Sequence, residues 1–281
     1  MGLTGEDAPA SDALADAARQ AAEAADDLVD RLAGVPERDG RLSTFAVDGA
    51  ELVLEERGAG DRLFVLLHGI GMGRRVFAYL AAHLAPHGRV WMLDQPGYGE
   101  APEPPRTPTM ERMADFTAAL LRDRGEPDAV VIGHSMGTQV AVELAARHPE
   151  LVAALVLAGP TVDPRARHAL PQLLRLGRDL LVESPRVLLL GAREYLRAGP
   201  HLRRKMTAML VHRPEDTFPR VGAPTLVIRG EKDYVAPRKW CARVTELLPD
   251  ARLAELAGHG HETLIRDARP AADRILAFLT A

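Results

Sequence analysis

Five residues constrain this chain more than any others: Gly133-His134-Ser135-Met136-Gly137, set directly behind the apolar run Ala129-Val130-Val131-Ile132 and directly ahead of a helical pattern. The succession reads as a buried strand, a sharp turn and a helix with a serine at the tip. A turn that tight crowds the backbone around Ser135, so the flanking positions must be very small, and both are glycine. It lifts the hydroxyl above the end of a sheet. The start of the following helix brings positive backbone dipole beside any negative charge that forms there. Glycine-x-serine-x-glycine alone occurs by chance in many chains; a strand before it and a helix after it make it specific.

The rest of the chain supplies a sheet for that turn. Leu42 to Val47 and Leu52 to Glu56 read as strands joined by Asp48-Gly49, a two-residue hairpin signal. Strands then alternate with helical patterns: the apolar runs Leu63 to Leu67, Ala129 to Ile132, Ala154 to Ala158 and Thr225 to Ile228, and the strand candidate Arg252 to Leu256. That alternation predicts an α/β fold with a parallel sheet and right-handed crossovers. The helix after Ser135 places Val140, Leu144 and Ala145 on one side and stops before Pro149. The last helix carries Ala272, Ile275, Leu276 and Leu279 on one stripe. Between Thr161 and Pro219 the rhythm breaks into helical patterns with no core-type strand. Residues 11–33 form an alanine-rich helical pattern that the core does not need; such a face buries little area, so its docking is expected to be weak. The expected division is an N-terminal helical extension over 1–40, a core made of 41–160 and 220–281, and a helical insertion over 161–219.

A serine hydroxyl is a poor nucleophile unless a base takes its proton, and the base needs an acid to orient it. In chains with this elbow the acid follows the serine and the histidine comes last. Asp233 lies in Arg229-Gly230-Glu231-Lys232-Asp233, just past the strand Thr225 to Ile228; Glu231 and Asp163 are its rivals. After the strand ending at Leu256 comes Ala257-Gly258-His259-Gly260-His261, which offers two histidines. His68 and His134 read as hydrogen-bonded turn histidines, and Asp94 as a brace for its own loop.

Taken together, His68-Gly69-Ile70-Gly71 after a strand, Asp94-Gln95-Pro96-Gly97-Tyr98-Gly99, the Ser135 elbow, Gly230 to Asp233 and Gly258-His259 resemble the serine-type α/β-hydrolase superfamily from about Leu42 to the C-terminus. The resemblance implies a mostly parallel eight-stranded sheet with helices on both faces and a helical cap at 161–219. It favours Ser135, Asp233 and His259 as the triad, His259 because it follows its glycine directly, with His261 as competitor. It places the oxyanion donors on the backbone of Met136 and Ile70, which leaves two apolar side chains free to line an acyl pocket. Gly69, Met72, Phe77, Tyr195, Met206 and Met209 are the expected substrate-binding residues. Cap arginines could select an anionic substrate if they point inward.

Composition narrows the partners. Net charge is −4 and no basic stretch interleaves with aromatics, which argues against nucleic acid. No apolar run approaches the roughly 20 residues of a membrane span, and the N-terminus lacks a signal-peptide pattern, so cytoplasm is the default. One cysteine, Cys241, excludes an internal disulfide and reads as a packing residue in a helix. Neither a metal-ligand spacing nor a nucleotide-binding glycine pattern is seen, so no cofactor is expected. A small-molecule substrate is the expected partner, and a homodimer through the N-terminal helix stays open. The leading activity is hydrolysis of an ester-type acyl bond of a small, largely apolar substrate through an acyl-serine. The alternatives are carbon–carbon hydrolysis, thioester hydrolysis or lyase or cyclase chemistry with the same triad, and a receptor that only binds.

Overall fold

A computed structural model of the chain describes residues 40–167, 201–265 and 267–281. The expected N-terminal helix and most of the insertion fall outside these residues. Within them, eight strands form one sheet in the order β1-β2-β4-β3-β5-β6-β7-β8. β1 (Arg41–Val47) and β2 (Ala50–Arg57) form the predicted hairpin, and Val47 pairs with Ala50. Asp48 and Gly49 both take positive φ, 49° and 76°, the geometry in which a two-residue turn follows the sheet's own twist. β2 pairs antiparallel with β4 (Arg89–Asp94). From β4 onward the pairing is parallel, through β3 (Leu63–Leu67), β5 (Ala129–His134), β6 (Val152–Ala158), β7 (Thr225–Gly230) and β8 (Ala251–Leu256).

Every residue of β3, β5 and β7 is buried, as expected of strands covered on both faces. Successive side chains of a strand point to opposite faces, and the core divides accordingly. Val65, Leu67 and Val131 join one apolar cluster with α2 (Met110–Asp123), α3 (Met136–Arg147) and α5 (Arg238–Leu247). Phe64, Leu66, Val130 and Ile132 join the other with α1 (Ala78–Leu84) and α6 (Arg269–Phe278). α4 (Leu202–Val211) lies in the chain between β6 and β7 and contributes Met209 to the first cluster. Cys241 is buried in α5, its thiol against the Ala236 carbonyl, and burial pushes its pKa up to about 12, in keeping with a packing role. Among the described residues, no helix is long and apolar enough to cross a membrane.

Candidate active site

The site begins with the elbow. Ser135 closes the passage from β5 to α3 at φ 53°, ψ −119°, a conformation that costs a residue with a side chain on the order of 1–3 kcal/mol. Packing holds it there. A Cβ on Gly137 would sit 2.0 Å from the Leu67 carbonyl oxygen, and one on Gly133 would sit 2.4 Å from that of Gly137. Neither contact leaves room for a methyl group, so α3 begins hard against the end of β3. The Ser135 N–H donates to the Ala158 carbonyl at 3.0 Å, which ties the turn to β6. Met136 occupies the first position of α3, where an N–H has no acceptor within its own helix. Gly69, in the loop after β3, comes so close that its Cβ would lie 3.1 Å from that of Ser135.

Asp233 and its histidine arrive from the other side. β7 ends at Gly230, and Asp233 turns back so that its Oδ1 accepts from the Ala236 N–H at 2.7 Å. Its Oδ2 stands 3.0 Å from Nδ1 of His261. Here the structure departs from the sequence reading: His261, not His259, meets the acid. His259 turns its imidazole toward Glu262, Nδ1 to Oε1 at 3.9 Å, and contributes its main chain instead, accepting from the Lys232 N–H at 2.8 Å. Gly258, at φ 78°, turns the chain after β8; the His259 carbonyl is then held by the Lys232 N–H, and His261 is the histidine that reaches the acid. Gly159, φ 56°, makes the berth for the pair: a Cβ there would lie 2.7 Å from Cε1 of His261 and 3.2 Å from Oδ2 of Asp233. Burial alone would raise the Asp233 carboxyl, but the charge and hydrogen bond of His261 and the Ala236 N–H outweigh it and hold the pKa below the ordinary value. Asp163 instead caps the 3-10 turn after β6, accepting from the Arg165 N–H at 3.0 Å.

The bracing residues behave as their loops require. Nδ1 of His68 lies 2.8 Å from the Gly69 carbonyl, and its Nε2 accepts from the Gln95 N–H at 3.2 Å; burial lowers its pKa and keeps it neutral. Asp94 accepts from the N–H groups of Arg74 and Glu100, at 2.5 and 3.0 Å, and pairs with the buried Arg74 guanidinium. Behind Asp233, Arg229 donates to the carbonyls of Ala236, Glu231 and Asp233 at 3.2–3.3 Å. Arg229 has no role in the sequence reading; an arginine directly after the run Thr225 to Ile228 is the signal that could have marked it.

The expected substrate-binding residues divide. Gly69 lies against Ser135, and Ile70, Met72 and Met206 are partly exposed at the edges of the two clusters. Phe77 is fully buried in the cluster on the far face of the sheet, and Met209 retains 4% exposure, so both pack the core and have little or no surface for a ligand. Tyr195 lies outside the described residues. Lys205, which the sequence did not distinguish, is 1% exposed on α4. Its ammonium donates to the Gly97 carbonyl, pairs with Glu103 at 2.7 Å and sits 4.6 Å from the centre of the Tyr98 ring. Tyr98 in turn points its hydroxyl at Sδ of Met136, 3.4 Å away. Gln139 donates to the Met209 carbonyl at 3.1 Å, while His212 and Thr217 converge on Glu143 at 2.9 and 2.6 Å. The end of the 161–219 stretch is thus stitched along the helix that Ser135 begins. Glu111 completes a group of possible metal-binding side chains with Glu143 and His212, the latter two already bonded to each other.

Comparison with known proteins agrees with this fold. The family described as "Alpha/beta hydrolase family" matches residues 64–274. The protein of Pseudomonas savastanoi pv. phaseolicola named "Putative carbamate hydrolase RutD" is 28% identical over 243 residues, covering 78% of this chain and 94% of that one. The pimeloyl-[acyl-carrier protein] methyl ester esterase of Aromatoleum aromaticum is 45% identical over 95 residues, 34% of this chain and 36% of that protein. Among solved structures, a hydrolase from Pseudomonas aeruginosa PA01 superposes with a TM-score of 0.74 at 26% identity, covering 86% of this chain and all of the other.

Proposed function

Because this chain belongs to the alpha/beta hydrolase family, we propose that it is a serine hydrolase cleaving an ester-type acyl bond of a small, largely apolar substrate. The observation that carries the reading is the Asp233–His261 pair at 3.0 Å, on loops at the same end of the sheet as a serine held at positive φ. In this reading His261 takes the Ser135 proton as Oγ attacks the acyl carbon. Asp233 holds the imidazole in the tautomer with Nδ1–H and stabilises the imidazolium that forms. The oxyanion is received by the N–H of Met136 and that of Ile70, each worth on the order of 3 kcal/mol of barrier. The imidazolium then protonates the leaving group, and water repeats the sequence on the acyl-Ser135 ester. Residues 161–219 act as the cap, with α4 clasped to the loop around Gly97. A carbamate is the second candidate bond, since the relative matched over 94% of its length bears that name and the same steps would serve.

Activity on p-nitrophenyl esters of graded chain length, with a serine-directed phosphonate as label, tests the reading. Ser135→Ala should abolish turnover and labelling together. His261→Ala should lose activity on a similar scale while His259→Ala keeps most of it. Loss on replacing His259 with retention on replacing His261 would restore the other assignment, and labelling away from Ser135 would end the proposal.

A further inference from the structure

The residue before the nucleophile is a second histidine that the mechanism above leaves unused. His134 ends β5, its side chain is fully buried, and its Nε2 lies 2.8 Å from the main-chain carbonyl oxygen of His261. A carbonyl only accepts, so Nε2 carries the hydrogen. The two rings stand 4.9 Å apart, centre to centre, at 42°. From these contacts we infer that His134 is a positioning residue for the general base, which fixes where the His261 main chain stands relative to Ser135; this rests on the proposed triad. The Asp233 bond to Nδ1 sets how the His261 ring is turned, but a ring can be well turned on a main chain that is out of place. The Lys232 N–H bond anchors this turn two residues earlier, at His259, and the His134 bond adds a restraint at His261 itself. Nucleophile and base are otherwise 126 residues apart in sequence, 261 less 135, yet one side chain joins the base's turn to the residue preceding the nucleophile.

The role requires that His134 stay uncharged. When His261 takes up the serine proton, a cation beside it would oppose the step. Among the described residues, the charged and titratable groups that act on His134 most are His261, Asp233 and Glu262. Burial, and the charge that His261 can bear, push its pKa down to about 4, so it is neutral throughout the range in which His261 must work as a base. Its Nδ1 meets no donor or acceptor among the described residues, so a second proton there would have no partner.

The experiment compares His134→Phe, which keeps a ring and removes the donor, with His134→Gln, whose amide nitrogen reaches about as far as Nε2. Active sites are counted by phosphonate labelling of Ser135 and rates are expressed per labelled site. The expected result is a fall in kcat for His134→Phe of up to about a hundredfold, the scale on which a displaced catalytic group acts. The acid limb of its pH–rate profile should move to lower pH as the His261–Asp233 pair loosens. His134→Gln should recover most of the rate and return the limb toward its place. A role in stability alone would reduce the number of labelled sites and leave both rate per site and acid limb where they were; that outcome, or Gln doing no better than Phe, overturns the inference. If His134→Phe does not fold, Gln against Asn decides in the same way, because the shorter amide falls short of the carbonyl. Failure of Ser135 to label in the wild type would instead refute the triad itself.

Discussion

Of the four described residues with a side chain at positive φ, Asp48 and Ser135 could hardly differ more in what surrounds them. At the β1–β2 hairpin, Asp48 and Gly49 turn in the open; nothing lies within 4 Å of where a Gly49 Cβ would be. At the elbow, Ser135 turns between glycines whose Cβ positions would overlap main-chain atoms at 2.0 and 2.4 Å. The hairpin turn is set locally, by two residues that tolerate the left-handed region and by the twist of the strands they join. The elbow is imposed from outside, by β3, β6 and the seating of α3. A turn held by its surroundings can keep a strained serine in place; one held by its own residues has no such reserve.

Several substitutions would break or sharpen that contrast. The largest effect is expected at Gly137→Ala, whose methyl group would have to displace the Leu67 carbonyl. Loss of about 3 kcal/mol or more in denaturant unfolding is expected, with activity falling further than stability. Next comes the response to acid. His134 has a folded pKa of about 4 against an ordinary 6.5, so below pH 6.5 the unfolded chain binds a proton that the folded one refuses. Stability should therefore fall as pH drops from about 6.5 toward 4, by about 3 kcal/mol from this group. His134→Phe should flatten that part of the curve measured by urea titration. Ser135→Gly removes the side chain that makes φ 53° unfavourable; the inactive variant should be more stable by about 1 kcal/mol or slightly more, seen as a higher Tm. Gly49→Ala, in the open turn, should cost only the backbone strain, about 1 kcal/mol, and leave activity unchanged. A large loss there would mean that the two turns are not so different.

Much of this architecture was legible in the order of residues because each signal was local. The apolar runs of β3, β5 and β7, the Asp48-Gly49 turn and the paired glycines around Ser135 state their conformations within a few positions. Asp233 was legible by its offset from a strand end. The histidine was not, because Gly-His occurs twice in Gly258-His259-Gly260-His261, and only the path of the chain through Gly258 decides which imidazole rises over Gly159. Phe77 and Met209 misled for a related reason: apolar residues beside a pocket and beneath it read alike until the packing is known. Lys205 gave no sign at all, since one lysine among many arginines acquires its place only from a loop a hundred residues away.

That lysine has a mechanical consequence. An ammonium held by Glu103, a Gly97 carbonyl and the face of Tyr98 is stranded if α4 moves off alone, and shedding its partners without full rehydration would cost several kcal/mol. Helix and loop should therefore travel as one piece. Under the proposed function, a motion that admits a substrate to Ser135 would then pivot away from this clasp.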